Sequence, residues 1–199
     1  MYYDVVVVQT MLFTVEIIRC SIGIMDEEES HLEQMNMETI KIRHAVKEDL
    51  EDIVRIEKEC FPPAEAADRE AFQKRMDTFL DSFFVAEAKH RVVGFINGAV
   101  IEGMYIKDEM YENTDLHRPD GAYQSVFGID VEPNYQGHRI ASRLMETLIQ
   151  YAKDCGRKGI VLTCKEALFP FYNRFGFENL GKSESVHGGA VWYDMIKYL

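Results

Sequence analysis

The bend NYQGHRIAS, residues 134–142, lies between a strand-like segment ending at Val131 and a helical pattern starting near Ile140. That position gives it a chemistry. A helix N-terminus leaves about four backbone N–H groups unpaired and carries roughly half a unit of positive charge. Behind a tight turn it is a natural pyrophosphate site. Gly137 can supply a positive φ or a close approach, and Ala141, between Ile140 and Ser142 at the helix start, is small. Arg139 leaves every backbone N–H able to donate, provided that its φ stays in the ordinary helical region, and with His138 it adds charge for phosphates. Any strand-to-helix crossover needs such a bend, so the stretch alone leaves both readings open.

Tyr172 is a second candidate. A phenol with pKa near 10 is protonated at neutral pH and can return a proton to a leaving group. The ring can equally be one member of an aromatic cluster with Phe169, Phe171, Phe175 and Phe177. In ECFPPAEAA, Phe61, Pro62 and Pro63 make a rigid apolar wall, and Glu65 can attract an ammonium group. The plain alternatives are a Pro-Pro pair that stops a helix and an acid at a helix N-terminus.

The elements that must hold these residues follow from periodicity. TIKIRHA alternates as a strand, and KEDLEDIVRIEKECF has helical spacing with acids in its first turn. AEAADREAFQKRMDTFL reads as a second helix, and FFVAEAKHRVVGFINGAVI as a hairpin turning at Lys89–His90. A polar loop over residues 102–121 is long enough for function. YQSVFGIDVEP reads as one strand; the next helix carries Ile140, Leu144, Leu148, Tyr151 and Cys155 on one stripe. GIVLTC is a short buried strand of the parallel kind, EALFPFYNRF a short helix broken by Pro170, and two strands close the chain. The order β-α-α-β-β-β-α-β-α-β-β predicts an α/β (α+β) fold: a mixed, mostly antiparallel sheet of about six to seven strands, helices on both faces.

A chain of 199 residues suits one domain with or without an appendage, and 47% apolar content with twelve phenylalanines suits a soluble globular protein. The net charge of −12 argues against nucleic acid and anionic lipid as partners and favours cationic small molecules. Cys20, Cys60, Cys155 and Cys164 show no C-x-x-C spacing and no nearby histidine cluster, which points to reduced thiols in a cytoplasmic protein, with no metal. Residues 1–36 stand apart. VVVVQTMLFTVEII lacks a positive flank, is interrupted by Glu16, and falls short of the ~20 apolar residues of a membrane helix. Its β-branched density reads as one or two strands, DEEES reads as a linker, and the domain is expected to span residues 37–199. The first 36 residues are then an N-terminal extension, either an appendage or an upstream extension of the reading frame.

Together these residues resemble the GNAT superfamily of acyl-CoA-dependent N-acetyltransferases. That family's turn reads Arg/Gln-x-x-Gly-x-Gly/Ala; here Gln136 and Ala141 match, and Arg139 replaces the central glycine. LTCKEALFPFYNRFGFENLG and LHRPDG look like the serotonin/arylalkylamine N-acetyltransferase group, and ECFPPAEAA looks like the substrate-side loop of its bacterial relatives. The resemblance covers roughly residues 39–199. It implies acetyl-CoA as cofactor, held by the turn and by the backbone of Ile129, Asp130 and Val131 on a strand splayed from its neighbour. It implies Tyr172 as general acid and a small primary amine as acceptor, arylalkylamine- or polyamine-like.

Transfer of an acetyl group to an amine needs the neutral amine. From a pKa near 10.4, reaching it at pH 7 costs about 4–5 kcal/mol. The developing oxyanion needs a backbone N–H, and the thiolate leaves more easily with a proton. The histidine pair of the vertebrate serotonin enzymes falls on Ser125 and Phe127, neither of them a base. Ser125 can hold a water, and Glu65, Asp130 and His117 are distant acceptors; each has a plain structural reading as well. Two other classes stay open: a peptide or lysine acceptor, which needs an open groove, and a non-catalytic acyl-CoA-binding module. Pairing of N-terminal strands in a homodimer is compatible with all of them.

Overall fold

The structure, a computed structural model, describes residues 40–63 and 65–199. The readings made for residues 1–36, Cys20 included, lie outside the described residues.

Strand β1 (Lys41–His44) leads through a single 3-10 turn into helix α1 (Leu50–Cys60), followed by α2 (Arg69–Phe79). Asp68 sets the start of α2 by accepting the Ala71 N–H at 2.8 Å, so this helix begins later than its periodicity suggests. Strands β2 (Phe83–Ala88) and β3 (Arg91–Asn97) form the expected hairpin; Lys89 and His90 both take positive φ, as a two-residue turn of this hand requires. After β4 (Val100–Ile101), the long loop, and β5 (Tyr123–Val126) come β6 (Gly128–Val131) and helix α3 (Ile140–Asp154). Strand β7 (Gly159–Cys164), helix α4 (Phe169–Asn173), β8 (Glu178–Lys182) and β9 (Tyr193–Tyr198) complete the chain.

Three readings are corrected. Pro170 opens α4, in the first turn where its missing N–H costs nothing, and does not break it. Cys155 is exposed just past the end of α3, outside its buried stripe. The segment read as one strand from residue 123 to 131 is two strands in two different sheets.

That division is the feature that positions the site. One sheet has the order β1-β2-β3-β6 and is antiparallel; the other has the order β4-β5-β7-β9-β8, with one parallel pairing, β5 to β7. Two adjacent segments leave the first sheet for the second together. β3 gives way to β4 at Gly98 and Ala99, and β6 meets β5 at Phe127. The crossing is stitched by Phe127 N–H to Asn97 O and Ser125 N–H to Ala99 O, both 2.8 Å. It is so tight at Gly98 that a Cβ there would lie 2.0 Å from the Ser125 carbonyl oxygen. β7 follows β5 up to the pair Val126–Leu162, and among the described residues β6 has only β3 as a sheet partner. The two neighbours therefore diverge beyond Phe127.

Helices cover both faces of the first sheet. Along β2, Phe84 and Ala86 join the core under α3, whereas Phe83 and Val85 join the core under α1 and α2. A third cluster, with Phe79, Ile101, Val161 and Ile196, fills one face of the second sheet.

Candidate active site

At the end of β6 the chain makes a 3-10 turn (Pro133–Tyr135) and enters the bend before α3. Gly137 holds φ at +81°, and Arg139 holds φ at +60° with ψ at +16°. The proviso that Arg139 keeps an ordinary helical φ is thus overturned: it occupies the left-handed region that glycine favours, at a cost of about 1–2 kcal/mol for a residue with a Cβ. Among the described residues no side chain caps α3, and its first backbone bond runs from Arg143 N–H to Arg139 O at 3.0 Å. The amides of Ile140 and Ala141 consequently open the helix toward the bend. Gln136 ties the turn back to the strand, its Nε2 donating to Val131 O at 3.0 Å. His138 is partly exposed, and Ser142 is buried on the first helical turn.

Register fixes which way the strand's groups face. Glu132 N–H donates to Val93 O at 2.8 Å. By antiparallel alternation the backbone groups of Ile129 and Val131 then point away from β3, toward the gap left by the divergence of β7. Side chains alternate too. Ile129 and Val131 enter the core under α3, and Asp130 points to the face covered by α1.

Across the gap stands Tyr172 on α4, 3% exposed, with its ring edge-on to Phe171 and Phe177. Burial, helped by Cys164 and Asp130 nearby, pushes its pKa well above that of an ordinary phenol. The Cys164 thiol is pushed up to about 12 by burial and Asp194, and the Tyr111 phenol, bonded to Thr163 Oγ1 at 2.9 Å, is pushed up to about 12 by burial. These groups stay neutral at physiological pH.

Phe127 and Thr163, at the mouth of the gap, also line a cavity of about 590 Å³. Phe61, Tyr111 and Trp192 add aromatic wall, and six acidic side chains (Glu57, Glu65, Asp68, Glu70, Asp108, Glu112) line it against Lys74, Arg75 and His187. Its roof is residues 183–192. Ser185 Oγ and Val186 N–H both donate to the Asp108 carboxylate, His187 Nε2 lies 3.1 Å from Glu65 O, and Trp192 Nε1 donates to His187 O at 2.8 Å. Arg75, 5% exposed, donates to Tyr111 O at 2.8 Å and lies over the Phe72 and Phe127 rings; burial lowers its pKa.

The residues anticipated for the acceptor are only partly brought together here. Phe61, Glu65 and Phe127 line the cavity; Pro62 and Ser125 do not. Ser125 is fully buried and donates to Ala99 O at 2.7 Å, so its hydroxyl is spent on the sheet crossing. Glu65 already has a cation, since Lys165 Nζ lies 3.1 Å from both of its oxygens. His117 lies tilted against Phe79 with Nδ1 accepting the Val100 N–H at 3.1 Å, away from the cavity. Periodicity missed Arg75, Asp108, His187 and Trp192, which come from four parts of the chain. It also missed Glu57, which did leave a signal: a carboxylate on the apolar stripe of Ile53, Ile56 and Cys60.

The sequence profile of the Acetyltransferase (GNAT) family matches residues 50–177, from the start of α1 to the end of the FGF segment after α4. The chain belongs to that family. An uncharacterised N-acetyltransferase of Methanocaldococcus jannaschii is 27% identical over 175 residues, which is 81% of this chain and 68% of the relative. N-acetyltransferase 8F1 of Rattus norvegicus is 30% identical over 105 residues, 51% of this chain and 41% of the relative. This chain thus spans under half of the rat protein's length. Among solved structures, the loading GNATL domain of CurA from Lyngbya majuscula superposes with a TM-score of 0.70 at 18% identity, covering 80% of this chain and 97% of that one. It shares the mixed-sheet fold expected from the sequence. Among the described residues no helix is long and apolar enough to cross a membrane, and no group of side chains could hold a metal ion.

Proposed function

We propose that this acetyltransferase moves the acetyl group of acetyl-CoA to a small primary amine that is cationic in solution, of the arylalkylamine or polyamine kind. The observation that carries the reading is the gap between β6 and β7, with an uncapped helix start at one end and the acidic, aromatic-walled cavity at the other. The pyrophosphate sits on the amides from Gly137 to Ser142, with Gln136 holding the turn and the His138 and Arg139 side chains supplying charge. The pantetheine arm runs along the outward edge of Ile129 and Val131, whose N–H groups are directed at the thioester oxygen. An amine entering the cavity meets carboxylates that favour its charged form on arrival and rings that take its apolar body. The roof over the cavity and its volume, within the ~300–1,000 Å³ of small-molecule sites, favour a small acceptor over a peptide. Tyr172, neutral and beside the gap, returns a proton to the departing sulfur.

Titration of the full chain with coenzyme A, followed by thiol release from acetyl-CoA with a panel of amines, tests this. Binding and turnover with cationic primary amines are expected. Binding without turnover of any amine leaves the chain a regulatory acyl-CoA module, and no binding removes the reading. In Tyr172→Phe, kcat should fall about 10²-fold with coenzyme A affinity kept; an undiminished kcat at high pH would take the proton-donor role from the phenol.

A further inference from the structure

The buried carboxyls of Glu57 and Asp130 are used by nothing described so far. We propose that Glu57, with Asp130 behind it, is the base that takes the proton from the ammonium form of the acceptor. The two carboxyls hold one proton between them and present a single negative charge to the cavity. The assignment rests on the acetyl-transfer reading of the site.

Asp130 is 0% exposed, and no donor among the described residues reaches either of its oxygens. A buried carboxylate left so is strongly disfavoured. The group that it meets is another carboxyl, that of Glu57, which is 6% exposed. Two carboxylates attract each other only when a proton lies between them. Glu57 faces the other way as well: it lines the cavity, and its Oε1 accepts the Ala67 N–H at 2.9 Å. Glu57 is therefore the member that can touch an amine, and Asp130 acts through it.

The surroundings set the direction of both titrations. Burial raises Glu57, and the Ala67 N–H, Arg75 from α2, the Asp130 carboxyl and His187 from the roof pull it back. Burial and the Glu57 charge raise Asp130. The remaining neighbours, Cys60 on α1 and Tyr172 on α4, have pKa values pushed upward, so they stay neutral and offer the pair no countercharge. Asn97, whose side-chain atoms also lack partners, lies beside Gly128 next to Asp130, so the polar ground continues inward from the pair.

Such a pair supplies what the strand lacks. A lone solvated carboxylate near pKa 4 is a poor base for an ammonium near 10.4, and burial, which raises Glu57, narrows that mismatch. The ammonium gives one proton to the pair, which becomes neutral, and the nitrogen lone pair forms the C–N bond at the thioester carbon. The nitrogen then loses its second proton, the C–S bond breaks, and the sulfur is protonated. Each turnover releases one net proton, the one first taken by the pair, to solvent through the cavity.

The test has a readout that needs no turnover. Infrared spectra of the full-length chain should show a neutral carboxyl at neutral pH, lost in Asp130→Asn and kept at a shifted frequency in Glu57→Gln. With an amine that the wild type acetylates, Glu57→Gln should lower kcat/KM about 10²-fold while coenzyme A still binds. Asp130→Asn replaces the neutral carboxyl that donates to Glu57 with a weaker donor, so the acidic limb of kcat/KM should move to higher pH. Should Glu57→Gln not fold, growth of a second neutral-carboxyl signal in the wild type as pH falls through that limb decides in its place. Absence of the band overturns the pair. A wild type that turns over while Glu57→Gln keeps its rate and acidic limb overturns this assignment alone. A wild type that binds coenzyme A and acetylates nothing overturns the reading of the site and the base with it.

Discussion

Arg139 holds φ at +60° on an exposed bend where a Cβ crowds the backbone. Arg139→Gly should relieve about 1–2 kcal/mol of that crowding and lose about 0.5–1 kcal/mol to the greater freedom of unfolded glycine. A small net gain follows, and at about 2–4 °C per kcal/mol for a chain of this size it should be visible in a melting curve. Coenzyme A affinity should fall in the same variant if the guanidinium reaches the phosphates, and the loss should shrink as salt rises. An unchanged melting temperature would mean that the bend relaxes without the strain. Glu57 is a different lesson at this scale. Its place on an apolar helical stripe was legible in the sequence, but the carboxyl opposite it was not, because Asp130 lies 73 residues away on another element.

At the scale of elements, the decisive event is the joint departure of β3 and β6 from the first sheet. Residues 123–131 carry enough apolar and β-forming side chains to read as one strand, and nothing in their own periodicity marks Phe127 as a break. The break is imposed from across the sheet, where Gly98 lets the Ser125 carbonyl come closer than any Cβ would allow. Gly98→Ala should therefore cost more than the ~0.5–3 kcal/mol of an ordinary substitution, either unfolding the chain or closing the gap. Thermal melting and coenzyme A titration together check this: a variant as stable as wild type with full affinity would show that the crossing tolerates a methyl group. Helix α4 and the hairpin at Lys89–His90, which local pattern does govern, stand where they were anticipated.

Over the whole molecule, the charge of −12 is not spread without purpose. Part of it gathers around the cavity, where among the described residues Lys74, Arg75, His187 and the Glu65 partner Lys165 oppose six acids. Such a field concentrates cations and is screened over about 8–10 Å at ordinary ionic strength. KM for a dicationic amine should thus rise with salt more steeply than KM for a monocation of similar size, and an anionic amino acid should be a poor acceptor. Equal salt dependence for both amines would mean that the acids act on the fold and not on the substrate.

The sequence by itself determined the helices and the hairpin, because each is written in spacing over a few neighbouring residues, and its motifs carried the resemblance to the family. The tertiary structure alone decided the split of residues 123–131 between two sheets, the neutralisation of Glu65 by Lys165, and the meeting of Glu57 with Asp130. Each of these depends on contact between segments far apart in the chain, and local periodicity carries no information about which distant group will stand opposite.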